Sequence, residues 1–287
     1  MLNYFAIKRK REETYWQIPL RRHQNYRILD KTIYDDARRV IGREHWIIQK
    51  GAGVQPLGGG TSNIAPPKLL WSTKTEYNAA GQVIREIDQN GLETLYTYDV
   101  RGLETEVRSQ SKGSDGQIIW SIQRTVYDAA GRSTYSNSYT EGIPATQING
   151  SHTEYDGDGR SIRSEQLFGL VIEIGANGQS FVKSIGTVLS SSSTVYNSAG
   201  WVLSSTDSYG LVTQYTYNVF GETTQTRRQL IGGGWIVSET IYDSQGRVIF
   251  STDSHLEGSS NPVYGTKSLY DDKGRSVGSI RYTGCEV

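Results

Sequence analysis

Tyr242-Asp243-Ser244-Gln245-Gly246-Arg247 reads as the end of one strand, a tight turn and the start of the next. Asp243 suits the first turn position, because its carboxylate accepts a hydrogen bond from a backbone N–H two residues on. Gly246 suits the last, where a positive φ is often required. Tyr242 and Val248 flank the turn as strand formers. One such stretch predicts a hairpin. Its recurrence predicts an architecture.

Eight further copies share the register. They are Tyr34-Asp35, Tyr77-Asn78 with Gly81, Tyr98-Asp99 with Gly102, Tyr127-Asp128 with Gly131, Tyr155-Asp156 with Gly159, Tyr196-Asn197 with Gly200, Tyr217-Asn218 with Gly221, and Tyr270-Asp271 with Gly274. Asn serves the Asp position without the charge. Arg38 stands where the other copies have glycine, so that turn is expected to be strained or of another type. The tyrosines are spaced by 43, 21, 29 and 28 residues and then by 41, 21, 25 and 28, a four-unit pattern occurring twice. Repeats at such periods signal a repeat architecture. Trp120 precedes Tyr127 as Trp235 precedes Tyr242, and Asn90 to Tyr98 aligns with Tyr209 to Tyr217. The expected organisation is an irregular or divergent segment over 1–31, then a repeat region over 32–287 in two modules, about 32–160 and 161–287.

Residues two before each tyrosine are mostly Thr, which period-2 geometry puts on the tyrosine's face. Val126 and Ile122 share the opposite face with Trp120, as Ile241 and Val237 do with Trp235. Gly113 to Gly116 and Gly232-Gly233-Gly234 mark tips at the far ends of the strands. Gly51 to Thr61 with Pro66-Pro67 on one side, and Gly175 to Gly178 with Ser190 to Ser193 on the other, have loop compositions. They are expected to be links that either project or form extra hairpins of no special function.

Composition agrees with strands. Tyr (19) outnumbers Phe and Trp together (11), Gly reaches 32, and hydrophobic residues make up 36% of the 287-residue chain. This mix favours strands and turns over helices and a large dry core. Thirty basic and thirty acidic residues cancel, which gives no pointer to nucleic acid or an anionic membrane. The run Lys8 to Arg11 reads as a solvated terminus. Cys285 is the single cysteine, so an internal disulfide is impossible. No apolar run approaches the roughly 20 residues of a spanning helix, and no signal segment is recognisable.

Catalytic constellations are not expected. His23, His45, His152 and His255 share no metal-ligand spacing with one another or with Cys285. Gly51 to Thr61 has no following Lys and is not a phosphate loop. Asp156-Gly157-Asp158-Gly159 opens like a calcium loop, but Leu167 occupies the twelfth position and the residues also fill the turn register. Asp35 with Asp36 and Asp271 with Asp272 are adjacent, which is not glycosidase geometry. No catalytic, cofactor-binding or metal residue is therefore expected. Trp120 and Trp235 are candidates for stacking on sugar rings.

The Tyr-Asp-x-x-Gly-Arg units, preceded by Thr-x-Tyr or Tyr-Thr-Tyr, resemble the YD repeats of RHS-repeat proteins, over about residues 32–282. That family includes polymorphic toxins, toxin-complex shell components, wall-associated proteins and teneurins. The resemblance implies an all-β ribbon of antiparallel hairpins, curved into part of a spiral hollow shell. It implies a structural, non-enzymatic role in enclosing a cargo or effector polypeptide, in a secreted or cell-surface setting. Further YD repeats and the cargo are the implied partners, and a surface adhesion or carbohydrate-binding module is the alternative. No Asp-Pro-rich core motif or effector domain is recognisable, so the chain reads as an internal repeat segment.

Overall fold

The computed structural model describes residues 26–49, 67–259 and 262–284. The Gly51 to Thr61 link, Lys8 to Arg11, His23 and Cys285 lie outside them. The described chain is all-β, with one short 3₁₀ turn at Ala145–Gln147. It consists of antiparallel hairpins, the fold class that the repeated turn predicts.

Two compact units are formed. The first contains β1 (Tyr26–Tyr34), β2 (Val40–Gln49), β3 (Lys68–Tyr77), β4 (Val83–Ile87), β5 (Glu93–Tyr98), β6 (Glu104–Lys112) and β7 (Ile118–Tyr127). Each pairs antiparallel with the next in sequence. β8 (Ser133–Thr140) follows.

The second unit contains β9 (Asn149–Tyr155) and β10 (Ser161–Phe168). Between β10 and β13 runs a separate two-stranded hairpin of β11 (Val171–Ile174) and β12 (Ser180–Ser184), most of which belongs to the first unit. The second unit continues with β13 (Thr187–Tyr196), β14 (Val202–Thr206), β15 (Val212–Tyr217), β16 (Thr223–Gln229), β17 (Trp235–Tyr242) and β18 (Val248–Thr252). It ends with β19 (His255–Leu256), β20 (Tyr264–Tyr270) and β21 (Ser276–Thr283). Here too neighbours pair antiparallel, β10 with β13 and β18 with β20 bridging the insertions.

One local expectation is corrected. Ser190 to Ser193 is not a loop but the middle of β13, where Ser190–Ser193 lie opposite Arg163–Gln166 of β10. A central strand is held by its backbone ladder and by both neighbours, which overrides the weak strand preference of serine. Strand structure begins at Tyr26, within the segment read as irregular or divergent. Gly175 to Gly178 is the tip of the β11–β12 hairpin, one of the two forms open to that link.

The core is thin. Among the described residues, Ile122, Ile148, Leu167, Leu170, Ile172 and Val237 are the buried hydrophobic side chains. Ile122 and Val237, which the alternation puts on the tryptophan face, are 5% and 3% exposed. Most strand positions are half-buried, so backbone pairing rather than a large apolar interior organises both units.

Candidate functional site: the repeated turn and its tyrosine strut

Each turn is built the same way. The Asp243 N–H donates to the Arg247 carbonyl at 2.9 Å, and the Gly246 N–H returns to the Asp243 carbonyl at 3.1 Å. Gly246 has φ of 78°. This is a type I turn closed by a left-handed residue, which adds one residue to that strand and shifts the register between Ile241 and Tyr242. The same pair of backbone bonds closes the turns at Asn78, Asp99, Asp128, Asp156, Asn197, Asn218 and Asp271. Asp88, Gly113, Gly175, Asp207 and Leu230 begin turns of the same kind at the opposite strand ends.

Arg38 takes the glycine position of the first turn with φ of 62°, and that turn keeps its type, with Arg38 N–H to Asp35 carbonyl at 3.0 Å. Of the two outcomes open to it, strain is the one realised. A left-handed non-glycine residue costs about 1–2 kcal/mol.

The side chain at the turn's first position works as an inner clamp. Asp243 Oδ1 accepts the N–H groups of Gln245 and Arg247, and Oδ2 accepts Arg247 Nε at 2.7 Å. Asp35, Asp128, Asp156 and Asp271 hold Arg39, Arg132, Arg160 and Arg275 in the same way. The Arg247 N–H holds the Asp243 carboxyl below its ordinary range against the opposing effect of burial, and the Arg247 guanidinium adds to the depression. Asp35, Asp128 and Asp271 are depressed first by the same backbone bond. At Asp156 burial is the largest influence and opposes the shift, but the Arg160 bonds outweigh it.

Where Asn replaces Asp, the residue four on is not Arg. Asn78 meets Gln82, Asn218 meets Glu222, and Asn197 accepts the Trp201 N–H. A neutral amide has no charge to offer a guanidinium, but its N–H₂ group can donate to a side-chain oxygen. Asp99 precedes Leu103 and recruits Arg101 instead, at 3.0 Å.

The tyrosines face outward from their own turn to the preceding one. Tyr77 donates its hydroxyl to the Val40 carbonyl, Tyr98 to Val83, Tyr127 to Glu104 and Tyr155 to Ser133. Tyr196 donates to Ser161, Tyr217 to Val202, Tyr242 to Thr223 and Tyr270 to Val248, and all eight distances lie between 2.7 and 3.3 Å. In every case the acceptor lies six residues after the tyrosine of the previous unit, two past its glycine position. The arginine of that previous turn covers the ring. Arg39 lies 4.5 Å from the Tyr77 centroid, Arg160 4.6 Å from Tyr196, and Arg247 4.7 Å from Tyr270. Trp201 takes this place against Tyr217, with centroids 5.3 Å apart. One guanidinium thus closes its own turn through Asp and holds the next tyrosine through its π face.

The two tryptophans proposed for sugar stacking each carry an arginine on the ring, Arg108 at 5.1 Å over Trp120 and Arg227 at 4.8 Å over Trp235. The Asp156–Asp158 carboxylates are both engaged by Arg160. His45, His152 and His255 pair with Asp30, Glu165 and Glu239 respectively on other strands. Among the described residues no cluster of three or more His, Cys, Asp or Glu could hold a metal ion, and no helix is long and apolar enough to cross a membrane.

The extra hairpin was the part that sequence reasoning missed as a packing element. The hairpin lies against the first unit, its tip on β5 and β6 and its strands on β7. Arg124 Nη1 donates to the Ile172 carbonyl at 2.6 Å, Ser180 Oγ to the Thr125 carbonyl at 2.5 Å, and Thr105 Oγ1 to the Gly178 carbonyl at 2.7 Å. Thr105 is 1% exposed. Gly178, with φ of 77°, approaches so closely that a Cβ there would meet the Tyr98 carbonyl oxygen at 2.1 Å. The glycine in Gly175 to Gly178 was a visible signal for this, but only of a turn and not of what the turn touches.

The chain is 12% identical to the structure described as TcdB2-TccC3-TEV, with a TM-score of 0.25, covering 93% of this chain and 17% of that one. The Photorhabdus luminescens Tc holotoxin pore, in a mutant of TccC3, is also 12% identical, with a TM-score of 0.24, covering 94% and 17%. A porin-like protein from Bacteroides uniformis is 11% identical, with a TM-score of 0.26, covering 90% and 88%. TM-scores of this size do not equate the overall arrangements, and the chain spans about 17% of the length of the toxin-complex chains. No curated protein matches. The model of the RHS repeat matches residues 77–116, which hold two of the tyrosine turns and the tip between β6 and β7. Residues 77–116 are thus similar to an RHS repeat, and the same turn and strut recur on either side of them.

Proposed function

We propose that the chain is a shell segment, a curved ribbon of YD hairpins that walls off a cargo polypeptide and contributes no catalytic group. The observation that carries this reading is the use made of the most repeated residues. Asp, Gly, Arg and Tyr of each unit are spent on closing a turn or joining it to the preceding unit, which is the work of a wall. The structural role follows from the RHS repeat. Enclosure, a cargo partner, further repeats continuing the ribbon and a secreted or surface setting are the finer parts of the proposal. The test is to purify the chain from its native host with whatever polypeptides accompany it, then to digest the assembly lightly. A partner that survives in the assembly and is cleaved once separated supports enclosure. Equal cleavage in both states, or purification with no polypeptide partner, overturns it.

A further inference from the structure

A cavity of about 460 Å³ lies on β15, β16 and β17, lined by Thr216, Thr224, Gln225, Glu239, Thr240 and Ile241 among others. The shared register identifies the counterparts of these residues in the first unit. Thr216 pairs with Gln225 as Thr97 pairs with Glu106. Glu239, Thr240 and Ile241 lead to Tyr242 as Arg124, Thr125 and Val126 lead to Tyr127. Thr224 donates to the Thr216 carbonyl and Thr105 to the Thr97 carbonyl, both at 3.2 Å. In the first unit these counterparts are the seat of the β11–β12 hairpin. Gly178 comes against Thr97 and the Tyr98 carbonyl, and Thr105, Arg124 and Thr125 each share a hydrogen bond with the hairpin. The cavity thus repeats the footprint of a seated hairpin. Ile241 is 43% exposed there, whereas its counterpart Val126 is half-buried.

One residue changes the chemistry of the seat. Arg124 donates to the Ile172 carbonyl, and Ile172 itself is 1% exposed. Glu239 stands at the position of Arg124, with its side chain 20% exposed and Thr252 Oγ1 donating to it at 2.9 Å. A carboxylate accepts and does not donate, so it repels a strand carbonyl and favours a cation. We infer that this cavity is a docking site for a β-hairpin of a partner polypeptide, with a left-handed glycine at its tip over the Tyr217 carbonyl and a lysine or arginine at the place of Ile172 that pairs with Glu239. Thr224 donates to the tip carbonyl as Thr105 does to Gly178, and Ile241 supplies the apolar contact. The charge at Glu239 selects the partner: a hairpin shaped like β11–β12 but uncharged at that place fits the outline and meets a carboxylate. The docking is independent of whether a cargo is enclosed.

The probe is a fluorescent, disulfide-closed peptide of residues 170–184, its two cysteines added outside that span, titrated into the full chain and followed by anisotropy. With Ile172→Lys in the peptide, saturable binding is expected. The peptide that keeps Ile172 is expected to bind at least about tenfold more weakly, the value of one charged hydrogen bond. Against a Glu239→Arg chain, whose fold circular dichroism checks, the order of the two peptides is expected to reverse. Adding Gly178→Ala to the lysine peptide is expected to abolish binding, since a Cβ at that place meets a strand carbonyl in the first unit. Hydrogen exchange with the lysine peptide bound is expected to show protection gained in β15 to β17. A lysine peptide that does not bind, an order of affinities that Glu239→Arg leaves unchanged, or protection gained in β5 to β7 instead overturns the inference.

Discussion

The stretch from Tyr77 to Glu141 and the stretch from Tyr196 to Glu257 are built to the same plan. Tyr98 reaches Val83 as Tyr217 reaches Val202. Gln110 accepts the Glu93 N–H as Gln229 accepts the Val212 N–H. Arg108 lies on Trp120 and pairs with Glu141, and Arg227 lies on Trp235 and pairs with Glu257. Even the buried guanidinium Nε atoms left without a partner, on Arg108 and Arg227, correspond.

They differ in what covers them. Thr105 and Thr224 both donate to a strand carbonyl at 3.2 Å, at Thr97 and Thr216. Thr105 is then buried beneath the β11–β12 hairpin, whereas no described segment does the same to Thr224. The residues beside the hairpin explain this. Arg124, paired with Glu106, supplies the donor to Ile172. Its counterpart is Glu239, which bonds to Gln225 and Thr252 and has no donor to offer a backbone carbonyl. The comparison separates a ladder that needs no cover from a docked hairpin that needs specific side chains.

The largest effect that can break this contrast is Gly178→Ala. It brings a Cβ against the Tyr98 carbonyl at a left-handed position, and is expected to cost more than about 2 kcal/mol. Hydrogen exchange should show β11 and β12 losing protection while β14 to β16 keep theirs. Arg124→Glu removes a charged donor to the Ile172 carbonyl, a loss of about 1.5–3 kcal/mol. Chemical denaturation should register it, and Glu239→Arg should not produce a compensating gain, since no described hairpin stands above it.

Acid sharpens a different contrast, between Asp and Asn turns. The Asp35, Asp128, Asp156, Asp243 and Asp271 carboxyls are depressed in the folded chain. Their contribution is therefore complete above the ordinary Asp value of 3.8 and is lost as the pH falls through the lower folded values. Exchange measured down that range should loosen these five turns first, while the Asn78, Asn197 and Asn218 turns hold. Uniform loosening would remove the carboxylate from the account. The smallest expected effect is a gain: Arg38→Gly relieves the left-handed arginine and should stabilise the first turn by about 0.5–1 kcal/mol, read from the thermal midpoint.

Much of this was legible in the sequence because turn chemistry is local. Asp243 and Gly246 announce their geometry within six residues, and the recurrence of nine tyrosines announces a repeat. The destination of each hydroxyl was not legible, since the Val40 carbonyl is 37 residues from Tyr77 and the distance between partners changes from unit to unit. The pairing of Asp with Arg and of Asn with Gln or Glu was visible in the letters, but gains meaning only when both sit on one turn. Ser190 to Ser193 misled because a polar run looks like a loop until both neighbouring strands are known. The docked hairpin was hidden for the same reason: a turn motif gives the bend and nothing about the surface beneath it.

The central claim is that the repeated tyrosines join neighbouring units through their hydroxyls. It is tested most directly by the eight single Tyr→Phe variants at 77, 98, 127, 155, 196, 217, 242 and 270, each measured by chemical denaturation. The account predicts that each loses about 0.5–1.5 kcal/mol with the strand content unchanged. Phe variants as stable as the parent chain would contradict it.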